Sequence, residues 1–538
     1  MGTYLNPGKS GFERILGSDY VDKTGMIGLL NHTIGTTKNL TCISRPRRFG
    51  KSYAAQMLCA YYDKTCDSHG LFSEYEIAKD RSYEKHLNKY HVISLDISGF
   101  ISEARQKKVS LSDIPAIINN VILEEVKAFN PETSHSTTLS EGLLKLVRST
   151  ETKIVFVIDE WDSLIREAKN DPDAQEIYLN LLRGWFKNNN FTPEAVAAAY
   201  MTGILPIKKN GSQSAISDFE EYSMIEPGIF AGYVGFTEAE VLRLCEEKKQ
   251  SFERMKAWYD GYIAGDRHSI YNPYSVMHVV SSGKFKSYWK KTSAAETLMT
   301  YIDMDQDGLQ NTIARLIAGE SIVLDTDSFQ NDVETFTCKD DVLTLLAHLG
   351  YLTYEEEPES YDNDDVTVGV VRIPNEEVKS EFDKILRKAK HKSLIELVRK
   401  SDQLLKDTLE GQNDAVARAI AEVHDSEYAP TFYNNEQSLR YVVKMAYISC
   451  VDQYAKVEEL ASGHGLADVV FLPKRRSTLP AMIVELKWND TPEGAIQQIR
   501  VKNYPQVLKN YGGEIILVGV NYDVTDKIHE CRIERYNK

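Results

Sequence analysis

The chain has 538 residues, of which 42% are hydrophobic and 26% charged, and its formal net charge is −16. That length exceeds what one hydrophobic core supports, and the composition is that of ordinary globular protein, so roughly three or four domains are expected. The acidic balance excludes a protein that wraps nucleic acid over its whole surface; contact with nucleic acid is expected to be local.

No apolar run approaches the ~20 residues that span a bilayer, and residues 1–10 have neither a charged n-region nor an apolar h-region. A cytoplasmic protein with no membrane partner is expected. The seven cysteines (Cys42, Cys59, Cys66, Cys245, Cys338, Cys450, Cys531) are odd in number and scattered, without a CxxC. That points to a reducing compartment and away from structural zinc.

In chain order, Leu40 to Ser44 reads as a buried strand and Tyr53 to Tyr62 as a helix. Between them lies Arg45-Pro46-Arg47-Arg48-Phe49-Gly50-Lys51-Ser52. A strand, a tight loop and a helix opening with Gly-Lys-Ser suit phosphate binding. Backbone N–H groups at the helix start face the anion, Lys51 reaches the β/γ oxygens, and the Ser52 hydroxyl can ligate Mg²⁺. Arg45 stands where the usual loop has its first glycine. About a hundred residues on, Lys153 to Ile158 forms an apolar strand ending in Asp159-Glu160. Asp159 is the expected Mg²⁺ ligand and Glu160 the expected group that polarises the attacking water. The phosphate loop and Asp159 are expected at the ends of two adjacent strands. His91 to Asp96 and Ala195 to Thr202 supply further strands, with helices around Ile114 to Val126 and Asp173 to Trp185, so a parallel sheet covered on both faces follows. Thr202 stands where a polar sensor of the γ-phosphate would stand; a plain strand-terminating threonine fits equally well.

Tyr20-Val21-Asp22-Lys23-Thr24, the Arg45 to Ser52 loop, Ile158-Asp159-Glu160, and Met201-Thr202-Gly203-Ile204-Leu205-Pro206-Ile207-Lys208-Lys209 together resemble the prokaryotic AAA-ATPase-like family with a C-terminal PD-(D/E)XK nuclease domain. Trp258-Tyr259-Asp260-Gly261-Tyr262 and Tyr271-Asn272-Pro273-Tyr274 extend the likeness along nearly the whole chain. The resemblance implies that Arg45, Pro46, Arg47, Arg48 and Phe49 belong to that family's own form of the phosphate loop. The aromatic motifs are expected in the core of a helical lid.

Val342, Leu345, Leu346 and Leu349 have the spacing of an amphipathic helix ending at Gly350. Tyr351 to Tyr354 and Val366 to Ile373 alternate as a hairpin interrupted by the acidic stretch Glu355 to Asp365. A winged-helix-like region is expected, with a packing role, since its acidic turn suits DNA poorly. Residues 390–430 read as charged helices.

Ala467 to Leu472 and Ala481 to Trp488 read as two apolar strands joined by the basic turn Pro473 to Pro480. Alternation sets Glu485 and Lys487 on one face of their strand. Asp468 on one strand and Glu-x-Lys on the next meet the minimum for metal-assisted phosphodiester hydrolysis: Asp468 and Glu485 hold a hard divalent cation, and Lys487 positions the nucleophile or offsets charge on phosphate. A buried carboxylate–lysine pair without metal is the competing reading. The resemblance to the PD-(D/E)XK superfamily adds Glu459, the Ser462-Gly463-His464-Gly465 turn, Gln498 as a catalytic-site residue, and Tyr504; Glu436 is a further acidic candidate. Leu466 stands where many relatives carry arginine. Lys474, Arg475, Arg476, Arg500 and Lys502 give this end a basic character that suits phosphate.

The expected architecture is α/β and multidomain: an AAA-like P-loop core over residues 1–215, a helical lid over 216–330, a winged-helix-like region over 331–390, and a helical connector with a restriction-endonuclease-like domain over 391–538. The expected cofactors are ATP and Mg²⁺, with Mn²⁺ as a substitute. The expected partner is nucleic acid; a homo-oligomer is left open. The expected function is a nuclease controlled by ATP, and the alternative is a signalling or scaffold ATPase whose nuclease fold is an interaction module.

Overall fold

The computed structural model describes residues 2–207, 216–264, 268–289, 309–317, 319–326, 329, 338–356, 368–388, 392–427, 439–440, 442–443, 446–447, 454–462, 465–473, 479–502, 508 and 513–536. The chain divides into two compact units, Met1–Leu298 with Ile322–Glu381, and Met299–Ser321 with Phe382–Lys538.

The first unit is built on β1 (Leu40–Ser44), β2 (His91–Asp96), β3 (Ile154–Asp159), β4 (Val196–Gly203) and β5 (Glu220–Tyr222), all parallel, in the order β2-β3-β4-β1-β5. β1 and β4 are buried along their whole length, which is why they read as unbroken apolar runs. Four helices matter for the site: α1 (Lys51–Tyr62), α2 (Ile114–Phe129), the short α3 (Ser163–Glu167) and α4 (Pro172–Phe186). Asp171 caps α4 by accepting from the Ala174 N–H, with proline in the first turn, so the helix starts where its sequence signals a start. Ile93, Phe156, Ile158, Trp185 and Phe186 lie in one continuous core.

The sheet order corrects one expectation. β1 and β3 are not neighbours: β4 lies between them, pairing Gly203 with Ser44 on one side and Thr202 with Asp159 on the other. Apolar runs identify buried strands but carry no record of which strand each pairs with.

The rest of this unit has a core of its own. α5 (Glu238–Lys248) begins with a capping box of Thr237 and Glu240, and is followed by α6 (Phe252–Tyr259) and α7 (Pro273–Ser282), the last capped by Asn272. The expected helical lid also contains a small antiparallel sheet of β6 (Phe236–Thr237), β7 (Tyr262–Ala264) and β8 (His268–Tyr271), in the order β6-β8-β7. Tyr259 and Tyr271 are buried in the lid core with Met255 and Val276. Next come β9 (Ile322–Asp325), α8 (Lys339–His348), β10 (Thr353–Glu356) and β11 (Val368–Arg372), whose strands form an antiparallel sheet in the order β10-β11-β9. Most of the acidic stretch lies outside the described residues. α8 departs from its amphipathic pattern, since Asp341 to His348 are all buried. Just beyond its end, Gly350 meets Pro46 of the phosphate loop so closely that a Cβ would lie 2.8 Å from the Pro46 ring, and the Gly350 carbonyl accepts from the Tyr262 hydroxyl. α9 (Glu376–Lys388) follows, and the boundary between the units falls within it.

In the second unit α10 (Lys392–Glu410) and α11 (Asn413–Glu427) precede β12 (Tyr454–Ser462), β13 (Gly465–Pro473), β14 (Ala481–Trp488), α12 (Pro492–Val501), β15 (Ile515–Asp523) and β16 (Ile528–Tyr536). The five strands form one sheet in chain order, with β14 and β15 parallel and the other pairs antiparallel. A parallel pair needs a crossover, and α12 supplies it.

Two candidate functional sites

In the first unit the loop between β1 and α1 closes over a cavity of about 810 Å³ lined by Arg47, Arg48, Phe49, Gly50, Lys51, Ser52, Asp159 and Glu160, among others. Gly50, at the N-cap of α1, has φ 94°, and Arg48 has φ 74°. The turn therefore needs left-handed backbone at two positions, and glycine supplies one of them without strain. Lys51 is 4% exposed; its ammonium donates to the carbonyls of Arg45 (2.9 Å) and Pro46 (3.0 Å) and lies 3.8 Å from Glu160. Burial lowers its pKa, against the carboxylates of Glu160, Asp159 and Asp162. Burial pushes the Asp159 carboxyl up to about 6, while the Ser52 hydroxyl and the Lys51 ammonium pull it down. Ser52 and Asp159 thus act on one another although their strands are separated by β4. Thr202, paired with Asp159, is fully buried, and among the described residues its hydroxyl has no hydrogen-bond partner.

Two loop residues do not line the cavity. Arg45 is 2% exposed and turns the opposite way, donating to the carbonyls of Ser44, Tyr222 and Ser223 at the end of β5; burial pushes its pKa down to about 10. A guanidinium whose Nη1 is given to three carbonyls beneath the loop is not placed to meet phosphate. Pro46 packs on Gly350, and only its carbonyl turns to Lys51. Arg48 lies over the Tyr274 ring at 4.1 Å and donates to the Tyr288 carbonyl at 2.8 Å, which ties the loop to the lid. Phe49 stands edge-on to Tyr262.

Several lining residues escaped the sequence reading. Tyr274 and His278 on α7 face the cavity, although the Tyr-Asn-Pro-Tyr motif reads as lid core. Arg166 on α3 also lines it, bonded to Glu160 and Asp162 at 2.8 Å each. Asp162 and Arg166 are four residues apart, the spacing of a helical ion pair, but the five-residue α3 is too short for periodicity to reveal.

In the second unit the register of β13 and β14 pairs Val469 with Val484, and one step further sets Asp468 opposite Glu485, on one face. Both are buried, at 6% and 2% exposed. Asp468 accepts from the Leu486 N–H at 2.9 Å and from the Arg440 guanidinium. Burial, and next to it the Asp468 charge, push the Glu485 carboxyl up to about 8. Gly519 is paired with Glu485 on the far side, and a Cβ there would run into the Pro492 carbonyl. α12 can therefore lie close against β15, which brings Gln498 between the two residues of Glu-x-Lys. Lys487 donates to Gln498 Oε1, and the Gln498 amide donates to Glu485 Oε1. Glu485 Oε2 is buried with no hydrogen-bond partner among the described residues, and it is a donor atom of the kind a hard cation would use. Among the described residues no three His, Cys, Asp or Glu side chains converge as a metal cluster. Glu436, His464, Lys474, Arg475, Arg476 and Tyr504, and the side chains of Glu459 and Leu466, lie outside the described residues. Arg500 pairs instead with Glu534 at 2.8 Å.

A parallel sheet in which the phosphate-loop strand is separated from the Asp-Glu strand by one further strand, with a lysine and a serine opening α1, is the fold of a P-loop ATPase of the AAA kind; a mixed-sheet α/β domain follows it. Residues 8–212 match the family described as predicted AAA-ATPase, and residues 434–530 match the PD-(D/E)XK nuclease superfamily. The chain thus joins an AAA-ATPase-like segment to a nuclease-superfamily segment. No curated protein matches it. Among solved structures it is similar to a Walker-type ATPase of Pyrococcus abyssi, at 12% identity and a TM-score of 0.32, over 68% of this chain and 96% of that one. No helix among the described residues is long and apolar enough to cross a membrane.

Proposed function

We propose that the chain binds and hydrolyses ATP with Mg²⁺ in its first unit, and that its C-terminal segment is a metal-dependent nuclease under ATP control. In this reading residues 1–215 are the ATPase core, 216–330 the lid, 331–390 a winged-helix-like packing region, and 391–538 the connector and nuclease. The observation that carries the first half is the meeting of Lys51 and Ser52, which open α1, with Asp159 and Glu160, at the end of β3, in one cavity although β1 and β3 are not neighbours in the sheet. Lys51 offsets phosphate charge, the Gly50 turn presents backbone N–H groups to it, and Glu160 takes a proton from the attacking water. Bound Mg²⁺, held through Ser52 and Asp159, would neutralise charge on the β and γ oxygens.

The second half is supported by Asp468 and Glu485 facing one another with an unpartnered Glu485 oxygen, and by Gln498 fixing Lys487 beside them. Lys487 would orient the nucleophile, and the two carboxylates would hold the cation that activates it. The Arg440–Asp468 ion pair favours the other reading, an inactive nuclease fold serving as an interaction module, because it already compensates one of the two carboxylates. Incubating the full chain with single- and double-stranded DNA and RNA, with and without ATP and Mg²⁺ or Mn²⁺, separates them. Metal-dependent cleavage abolished by Glu485→Ala supports the nuclease; ATP turnover without cleavage of any substrate supports the module.

A further inference from the structure

Glu160 is held from both sides. Its backbone has φ 52°, a left-handed conformation that few non-glycine residues adopt, and the nearby Ser163 hydroxyl donates to its carboxylate at 3.4 Å. One carboxylate oxygen lies 3.8 Å from the Lys51 ammonium; the other accepts from Arg166 at 2.8 Å. Arg166 is fixed in turn. Its Nε donates to Asp162 Oδ2 at 2.8 Å, and its second amino group reaches the Ser163 hydroxyl at 3.0 Å. Asp162 is 1% exposed, and the same Oδ2 accepts from the N–H groups of Ile204 (3.2 Å) and Leu205 (3.0 Å), immediately after β4.

We infer that Arg166 is a positioning residue for ATP hydrolysis, holding the Glu160 carboxylate beside Lys51 through an anchor on Asp162 at the end of β4. This rests on the reading of Glu160 as the group that takes a proton from water. A planar guanidinium is well shaped for such a hold, because its fork bonds two carboxylates at once in fixed directions, which an ammonium cannot do. Asp162 already accepts two backbone N–H groups, so an arginine needed only to satisfy it would have no reason to reach Glu160. The consequence is a rigid path from the strand that carries Thr202 to the carboxylate that acts on water.

The test is steady-state ATP hydrolysis by the full chain, with ATP affinity from calorimetry, for the parent, Arg166→Lys, Arg166→Gln, Glu160→Gln, and Arg166→Gln combined with Glu160→Gln. Arg166→Gln should lower kcat by at least ~10-fold, with the ~10²–10⁴ that a positioned base contributes as the ceiling, and leave KM and ATP affinity within about twofold. Arg166→Lys should recover part of the rate. In the Glu160→Gln background the Arg166 change should cost nothing further, since residues acting through one another are not additive. Additive losses, or a loss of ATP affinity in place of kcat, overturn the inference. Should Arg166→Gln unfold, seen as lost helical circular dichroism, the same criteria apply to Arg166→Lys. A parent that binds ATP but does not hydrolyse it, or does neither, removes the proposed ATPase function and this inference with it; hydrolysis with additive losses removes the inference alone.

Discussion

Glu377 on α9 is 1% exposed, yet its Oε1 accepts both the Ser275 hydroxyl at 2.9 Å and the Tyr288 N–H at 2.7 Å. Burial pushes its carboxyl from 4.5 up to about 7; those two hydrogen bonds pull it down, Glu381 on the same helix raises it, and Arg48 from the phosphate loop lowers it. The folded state therefore holds this proton more tightly than the unfolded chain. The stability it contributes is fully present below about pH 4.5 and is lost as pH rises to about 7. At about 1.4 kcal/mol per pH unit the loss has an upper bound of about 3 kcal/mol. Glu377→Gln keeps an Oε1 that can accept both bonds and removes the charge. Hydrogen exchange of peptides covering α7 and residues 283–289, followed by mass spectrometry from pH 5 to 8 with correction for intrinsic rates, reads this local stability. The parent should lose protection across that range, and the variant should lose distinctly less. Parallel profiles in the two proteins would refute the assignment of a buried, proton-holding carboxyl.

Lys51→Ala should abolish ATP binding in calorimetry, because it removes the ammonium held in the turn of the loop by the Arg45 and Pro46 carbonyls, whereas Glu160→Gln should bind ATP and lose at least ~10²-fold in turnover. Lys487→Ala should retain Mn²⁺ binding while losing cleavage; Glu485→Ala should weaken both, read by Mn²⁺ titration beside a cleavage assay. Gly203→Ala would bring a Cβ within 2.7 Å of Asp162 Oδ1 and 2.8 Å of Trp161 Nε1, so thermal unfolding should show a loss of ~1–3 kcal/mol from overpacking.

The parts of this chain that a sequence displays are those whose physics is local. β1, β3 and β4 are apolar enough to read as strands at sight, and Gly50 marks a turn because only left-handed backbone suits that place. Alternation along β14 sets Glu485 and Lys487 on one face without any knowledge of the fold. What was hidden depends on packing across distance. The insertion of β4 between the phosphate loop and Asp159 leaves no trace in either run. Arg45 looks like a fourth phosphate-facing group until β5 is seen beneath it. α8 has the spacing of a surface helix, but its polar face is covered as well. Gln498 is placed by Gly519, a residue whose contribution is the room it leaves.

Arg45 opens the phosphate loop and also fastens the outermost strand of the sheet. β5 is three residues long and, among the described residues, pairs only with β1. A strand so short holds its place weakly through its own ladder, and the open carbonyls of a sheet edge invite pairing with other chains. The buried guanidinium takes the Tyr222 and Ser223 carbonyls and so finishes the edge from inside. Replacing Arg45 by glycine to recreate the usual glycine-first loop would therefore not mend the motif; it would unpin the margin of the sheet and leave a cavity under the nucleotide site. A deviation from the common loop is here a keystone shared by two structures, so a change at this one position acts on the loop and the sheet edge at once.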